Sequence, residues 1–364
     1  MAQANNVHDK TQELQTKLYL AAKRSPTRRF HALWDRIHRR DVLERAWKEV
    51  RANRGAPGID AQTITQIEEA GVEAFLDELR SELEEQRYRP LPVRRVRIPK
   101  ADGGERALGV PAIRDRVAQA AVKIVVSPIF EADFLDCSFG FRPGRSAHQA
   151  MDRAREEVHR GRCWAVRADV RSFFDELDHD RLLEFLRERI SDRRVLKLIT
   201  AWLRAGVWEG GIVSHPEAGS PQGGPLSPLL GNVYLHHLDL RWRQECWRLG
   251  ALVRYGDDLL VLCPSKERAE AALRALRAIL ADLGLAVSEA KAQMVDLSEK
   301  GRGIDFLSYV GDRVKQQDEQ RSIRSGSGVT RPPCRGGRAV PRRSSDDRPG
   351  PWQQRHPAGA AAWA

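Results

Sequence analysis

No apolar run in these 364 residues approaches the ~20 that a membrane-crossing helix needs. The opening residues, MAQANNVHDKTQELQ, do not read as a secretory signal. A soluble, cytoplasmic protein with no membrane partner is therefore expected. Cysteine is scarce: Cys137, Cys163, Cys246, Cys263 and Cys334 form no C-x-x-C pair, which argues against a zinc module or a disulfide framework. Cys163 and Cys263 sit in apolar, strand-like runs and read as core. Acid is short relative to base, 50 Asp plus Glu against 61 Lys plus Arg, and the resulting net charge of +11 points to a polyanionic partner, nucleic acid first. Beyond Lys315 apolar periodicity is lost among Arg, Gly, Pro and Ser, and disorder is expected. Counted from Lys315 itself, that tail holds ten Lys/Arg and four Asp/Glu, so +6 of the +11 lies outside the expected fold.

Residues 1–40 combine Lys, Arg and His with Leu14, Leu18, Ala21, Phe30, Leu33, Trp34 and Ile37 at helical spacing, a basic amphipathic helix pair. Asp41 caps a further helix, Asn53 to Asp60 is a turn-rich loop, and Val72, Phe75, Leu76, Leu79 and Leu83 mark another helix. Residues 93–110, VRRVRIPKADGGERALGV, read as a β-ribbon turning at Asp102-Gly103-Gly104. Arg94, Arg95, Arg97, Lys100 and Arg106 crowd it, a density that is costly unless phosphates lie against it; a soluble edge strand guarded by charge is the plainer alternative. Residues 113–130 form a long apolar core helix. A loop with Arg142 and Arg145 leads into a helix over 147–158, and these two arginines join Arg94, Arg95 and Arg97 as expected template contacts.

The chemistry centres on LVRYGDDLLVLC, residues 252–263, in which two apolar runs flank Tyr255-Gly256-Asp257-Asp258. Gly and Asp tolerate a tight hairpin turn, so two acidic side chains sit at a strand-turn-strand tip. Such a pair repels itself unless a divalent cation lies between, and it gains meaning only with a third carboxylate nearby. The strand CWAVRADV, residues 163–170, supplies Asp169 at its end. Phe173 and Phe174 follow; such a pair is commonly core, yet Phe174 stands where a side chain can line a pocket beside a bound sugar. A small-residue loop from Gly219 enters an apolar helix, and its backbone can approach another molecule closely. Ser265 caps a helix that stops at Gly284, residues 285–288 are a strand candidate, Lys291 follows, and 304–310 is the last candidate strand. The plan is α+β, antiparallel strands covered by helices on one face. Three carboxylates there suit two Mg²⁺ ions about 3.5–4 Å apart and an in-line phosphoryl displacement, with the positive ribbon neutralising a nucleoside triphosphate.

In order, RRVRIPKADGGERALGVPAIRDR, FGFRPGRSAHQAM, ADVRSFFDELDHDRLL, GSPQGGPLSPLLGNVYLHHLD, RYGDDLLVL and LGLAVSEAKAQMVDL resemble the successive motifs of group II intron-encoded reverse transcriptases, the maturases. The resemblance covers roughly residues 50–310. It implies a right-hand polymerase with fingers and palm, using dNTPs, a DNA primer, an RNA template and intron RNA. By motif position it makes Asp169, Asp257 and Asp258 the metal ligands, Lys100 and Arg106 the triphosphate clamps and Phe174 the gate against a 2′-hydroxyl. Gln222 becomes a nucleotide support and Lys291 the acid for pyrophosphate release. The implied division is a basic helical extension over 1–60, fingers over 61–150, palm over 151–313 and a tail over 314–364.

The chain departs from the family in three places. Gly256 stands where Ala is usual, Val-Ser-Glu-Ala precedes Lys291 where Ser-Pro-Glu is usual, and no thumb or maturase region is legible after Tyr309. A truncated member is expected. An RNA-binding remnant without synthesis, or a reverse transcriptase of a retron, diversity-generating or phage-defence lineage, are the alternatives.

Overall fold

In this computed structural model residues 9–99, 105–215, 218–219, 223–298, 303–304 and 306–307 are described, Arg106 by its backbone alone. The expected tail, the 102–104 turn, Lys100, Gln222 and most of the candidate strand at 304–310 lie outside them. Among the described residues no helix is long and apolar enough to cross a membrane.

The helical part opens with α1 (Lys10–Arg24), whose first turn is capped by the Asp9 carboxylate accepting from the Thr11 and Gln12 N–H groups at 3.0 and 3.1 Å. Then come α2 (Trp34–Ile37), α3 (Arg40–Ala52), α4 (Ile64–Ala70) and α5 (Val72–Glu84). Of the apolar residues expected to share a face, Leu14, Leu18, Phe30, Leu33, Trp34 and Ile37 are buried and Ala21 is half-buried. After β1 (Val93–Pro99) and β2 (Glu105–Val110) they meet α6 (Ile113–Glu131), against which α1 and α3 pack. This helix is buried on almost every side, Asp115, Arg116, Gln119 and Glu131 included, as befits a helix at the centre of a core.

The chain continues with α7 (Ala147–His159), β3 (Trp164–Asp169), α8 (His179–Arg187), α9 (Arg193–Leu203), β4 (Val207–Glu209) and β5 (Ile212–Ser214). It continues with α10 (Ser227–Arg241), β6 (Ala251–Tyr255), β7 (Asp258–Cys263), α11 (Lys266–Asp282) and β8 (Gln293–Asp296). The strands make two four-stranded sheets, ordered β2-β1-β4-β5 and β6-β7-β3-β8. The second is antiparallel throughout; in the first β1 and β4 run parallel. The α+β class holds.

Three details differ from the sequence expectation. Helices cover both faces of the second sheet: Val166, Ala168, Leu259 and Val261 pack with α11, while Ala165, Val253, Leu260 and Leu262 pack with Ala150, Met151 and Ala154 of α7. The unbroken run Leu259–Cys263 is the signature of a strand buried on two sides. Residues 285–288 form a single bridge, Val170 to Val287, and the ladder resumes at β8 instead. Finally, β4 and β5 form an unforeseen hairpin turned by Gly210 and Gly211, both at positive φ (58° and 89°).

Candidate active site

The register of the second sheet builds the site. β3 and β7 pair so that Asp169 faces Asp258 directly across the ladder, and β6 and β7 pair Tyr255 with Asp258. That leaves Gly256 and Asp257 as the two-residue turn, with Gly256 at φ +64°. A side chain at Gly256 meets strain from the left-handed backbone and the Phe141 ring, which lies 2.9 Å from the Cβ position. The expected third carboxylate on a neighbouring strand is thus in register with the second.

Asp169 is buried, 5% exposed, and Lys291 sits on its Oδ2 as an ion pair. A turn brings Lys291 there: the Ser288 N–H donates to the Asp169 carbonyl at 2.7 Å, and the Lys291 N–H to the Ser288 carbonyl at 3.0 Å. The hydrogen bond to Asp169 raises the Lys291 ammonium above the usual lysine range. Asp258 is raised to about 6, first by burial and then by the charges of Asp169 and Asp257; Arg167, 3.8 Å away, opposes the rise. Three carboxylates crowd a half-buried place, and among the described residues Lys291 and Arg167 supply counter-charge to Asp169 and Asp258. Their hard oxygen donors suit a divalent ion such as Mg²⁺. Among the described residues, no group of three or more His, Cys, Asp or Glu side chains closes around a single ion position, and the Asp169 carboxylate pairs with Lys291.

Phe174 is half-buried beside the buried Phe173, ring centroids 5.1 Å apart, and Gly231 of α10 leaves room for both. The segment after β3 also meets the Gly219 loop: the Gly219 N–H donates to the Leu177 carbonyl at 2.8 Å. Gly223, at φ +118°, lets that loop approach β2, because a Cβ there would stand 2.7 Å from the Gly109 carbonyl oxygen. The loop therefore lies against both β2 and the segment that follows Asp169.

The expected template arginines fall into three groups. Arg95 and Arg97 are exposed on β1, where Glu209 of β4 pairs with both at 3.4 and 2.9 Å and Glu105 pairs with Arg97 at 3.3 Å. Such surface pairs are weak and exchangeable. They also show that phosphates are not the ribbon's only counter-charge. Arg94 is half-buried and donates to the Pro57 carbonyl at 2.7 Å. Arg145 pairs with Asp136 at 2.6 Å and lies over the Phe139 ring. The template role expected for Arg142 is corrected: its side chain is 3% exposed, bonded to Glu131 and to the Leu135 and Ser138 carbonyls. It braces the loop from inside.

Sequence reasoning passed over Arg254, Asp239 and Asn232, three buried polar residues behind the hairpin. An arginine in the middle of an apolar strand, LVRY, was the available signal.

The reverse transcriptase (RNA-dependent DNA polymerase) family matches residues 98–314. Protein YkfC of Escherichia coli is 38% identical over 234 residues, which span 62% of this chain and 61% of that protein. Group II intron-encoded protein LtrA of Lactococcus lactis subsp. cremoris is 36% identical over 213 residues, 58% of this chain and 35% of LtrA. The chain thus spans less than two thirds of either relative. A solved structure titled "Partial Cas6-RT-Cas1--Cas2 complex" aligns at TM-score 0.41 and 24% identity, covering 69% of this chain and 41% of that one. With the matched segment taking in the whole carboxylate-bearing sheet, this chain belongs to the reverse transcriptase (RNA-dependent DNA polymerase) family.

Proposed function

We propose that this chain is an RNA-directed DNA polymerase of a group II intron, extending a DNA primer with dNTPs on an RNA template, and that it also assists splicing of its intron RNA. The observation that carries the reading is the cross-strand register of Asp169 with Asp258, with Asp257 in the adjoining turn. Similarity to the intron-encoded protein of Lactococcus lactis favours the intron lineage.

Asp169, Asp257 and Asp258 would hold two Mg²⁺ ions, which when bound activate the attacking oxygen and stabilise the leaving one. The chain's own groups do the rest. Lys291, cationic beside Asp169, holds a proton within reach of the departing pyrophosphate. Phe174, held against Phe173, is the gate that excludes a 2′-hydroxyl in this reading. Arg95 and Arg97 exchange Glu209 and Glu105 for template phosphates. Lys100, Arg106 and Gln222 complete the nucleotide site in this reading. The fingers over 61–150 and palm over 151–313 are the matching division.

The test is Mg²⁺-dependent incorporation of deoxynucleotides on a primed RNA template, comparing the parent with Asp257→Ala/Asp258→Ala. Incorporation that vanishes in the double variant supports the reading. Folded parent protein that incorporates nothing refutes polymerase activity for this chain and leaves RNA binding as the function to measure.

A further inference from the structure

Behind the catalytic hairpin lies a buried polar cluster that the polymerase reading does not use. Arg254, at the third buried position of β6, is 0% exposed, and a charged side chain so deep in a sheet is rare without partners. Its guanidinium spends four hydrogen bonds on three residues. Nε and Nη2 donate to the two carboxylate oxygens of Asp239 at 2.8 and 2.6 Å, and Nη1 donates to Asn232 Oδ1 and to the Gly256 carbonyl, both at 2.9 Å. Asn232 in turn donates from Nδ2 to the Gly140 carbonyl at 2.8 Å. The main chain repeats the connection: the Phe139 N–H donates to the Arg254 carbonyl at 2.8 Å and the Arg254 N–H to the Cys137 carbonyl at 2.7 Å.

Gly256 is the residue at which the hairpin is freest, since it lies in the turn, carries no side chain and takes a positive φ. Its carbonyl orientation decides where the next two residues, Asp257 and Asp258, point. Stability alone does not call for the cluster, because a buried ion pair replaced by well-packed apolar groups is often neutral or better. A fork that joins α10 to the turn carbonyl, with Asn232 carrying the connection on to Gly140, does what an apolar group cannot, which is to fix the direction of a main-chain oxygen.

We infer that Arg254, held by Asp239 and Asn232, is a positioning device that sets the angle of the turn bearing Asp257 and Asp258 and locks it to the Phe139–Phe141 segment; this rests on the carboxylate site proposed above. None of the three touches substrate. Functional groups must be held within about 0.5 Å of their working geometry, and a misplacement of about 1 Å can lower a rate about a hundredfold.

Arg254→Met leaves Asp239 buried and unpaired, a fault that disturbs folding by itself, so Asn232→Ala, which removes no charge, is the deciding variant. Folding is checked by melting. Nucleotide incorporation is measured against Mg²⁺ concentration, and Mn²⁺ binding is measured by electron paramagnetic resonance without substrate. The expected result for Asn232→Ala is a folded protein with incorporation lowered about 10–100-fold and a half-saturating Mg²⁺ concentration raised severalfold. Loss of folded fraction alone lowers incorporation without moving that concentration, and such a result overturns the proposal, as does incorporation equal to the parent's. If the parent itself incorporates nothing, the polymerase reading fails separately, and Mn²⁺ decides the inference: weaker binding in Asn232→Ala upholds it, and equal binding overturns it.

Discussion

Replacing Asp258 by Asn keeps the size of the side chain and removes one of three crowded charges, so the two roles of that carboxylate separate. Burial and the neighbouring Asp169 and Asp257 charges raise Asp258 to about 6. Against an ordinary aspartate near 4, this is about 2 units, or about 3 kcal/mol. The side chain keeps 31% exposure, and solvent screening brings the figure to about 1–2 kcal/mol. Since the folded carboxyl holds its proton more tightly than the unfolded one, the penalty is absent below about pH 4, grows up to about pH 6 and is complete above that. In EDTA at pH 8, Asp258→Asn is therefore expected to melt about 2–6 °C above the parent. At pH 4 the difference disappears. Added Mg²⁺ raises the parent's melting temperature and leaves that of Asp258→Asn almost unmoved. A variant that melts below the parent in EDTA at pH 8, or gains as much from Mg²⁺, refutes the reasoning.

Arg142→Met strands Glu131 in the core and is expected to cost about 3–5 kcal/mol in a denaturant melt; a stability change under 1 kcal/mol would return Arg142 to the surface roles considered for its neighbours. Arg97→Ala leaves stability within about 0.5 kcal/mol and lowers the salt slope of RNA affinity by about 1, read by filter binding over a range of salt; an unchanged slope removes Arg97 from the template path. Phe174→Ala is expected to raise ribonucleotide use relative to deoxynucleotide use in competition assays, and an unchanged ratio rejects it as the gate. Lys291→Gln is expected to reduce kcat about 10²–10⁴-fold, the usual span for a positioned acid, while activity equal to the parent's shows that the ammonium serves only as a partner for Asp169.

The cross-strand placement of Asp169 and Asp258 was legible because a strand has period two. Once Asp169 ends one apolar strand and Asp258 starts another, an antiparallel pairing that keeps both buried runs aligned sets them opposite each other. Arg142 and Arg145 show where such reading stops. Both stand in one Arg-rich loop three residues apart, and what separates them is Glu131 on α6, which claims Arg142 and leaves Arg145 near the surface. Glu209 escaped for a similar reason: its three-residue strand is too short for a periodic signal, yet it pairs with Arg95 and Arg97 of β1. Gly210-Gly211 between Val-Trp-Glu and Ile-Val-Ser did advertise that hairpin. Residues 285–288 look like a strand by composition, but the turn that delivers Lys291 to Asp169 uses them to leave the ladder.

The order β6-β7-β3-β8 also bears on how the protein is made. The strand that leaves the ribosome first, β3, ends up in the interior of its sheet, and both of its hydrogen-bonding neighbours are synthesised later. Until β7 emerges, an apolar strand waits with two unpaired edges, and pairings so distant in sequence form slowly. Chains released before Cys263 would carry Asp169 on an exposed strand with no sheet to join, prone to aggregate. Synthesis through β8 is thus the earliest point at which the carboxylates can meet with both edges of β3 covered.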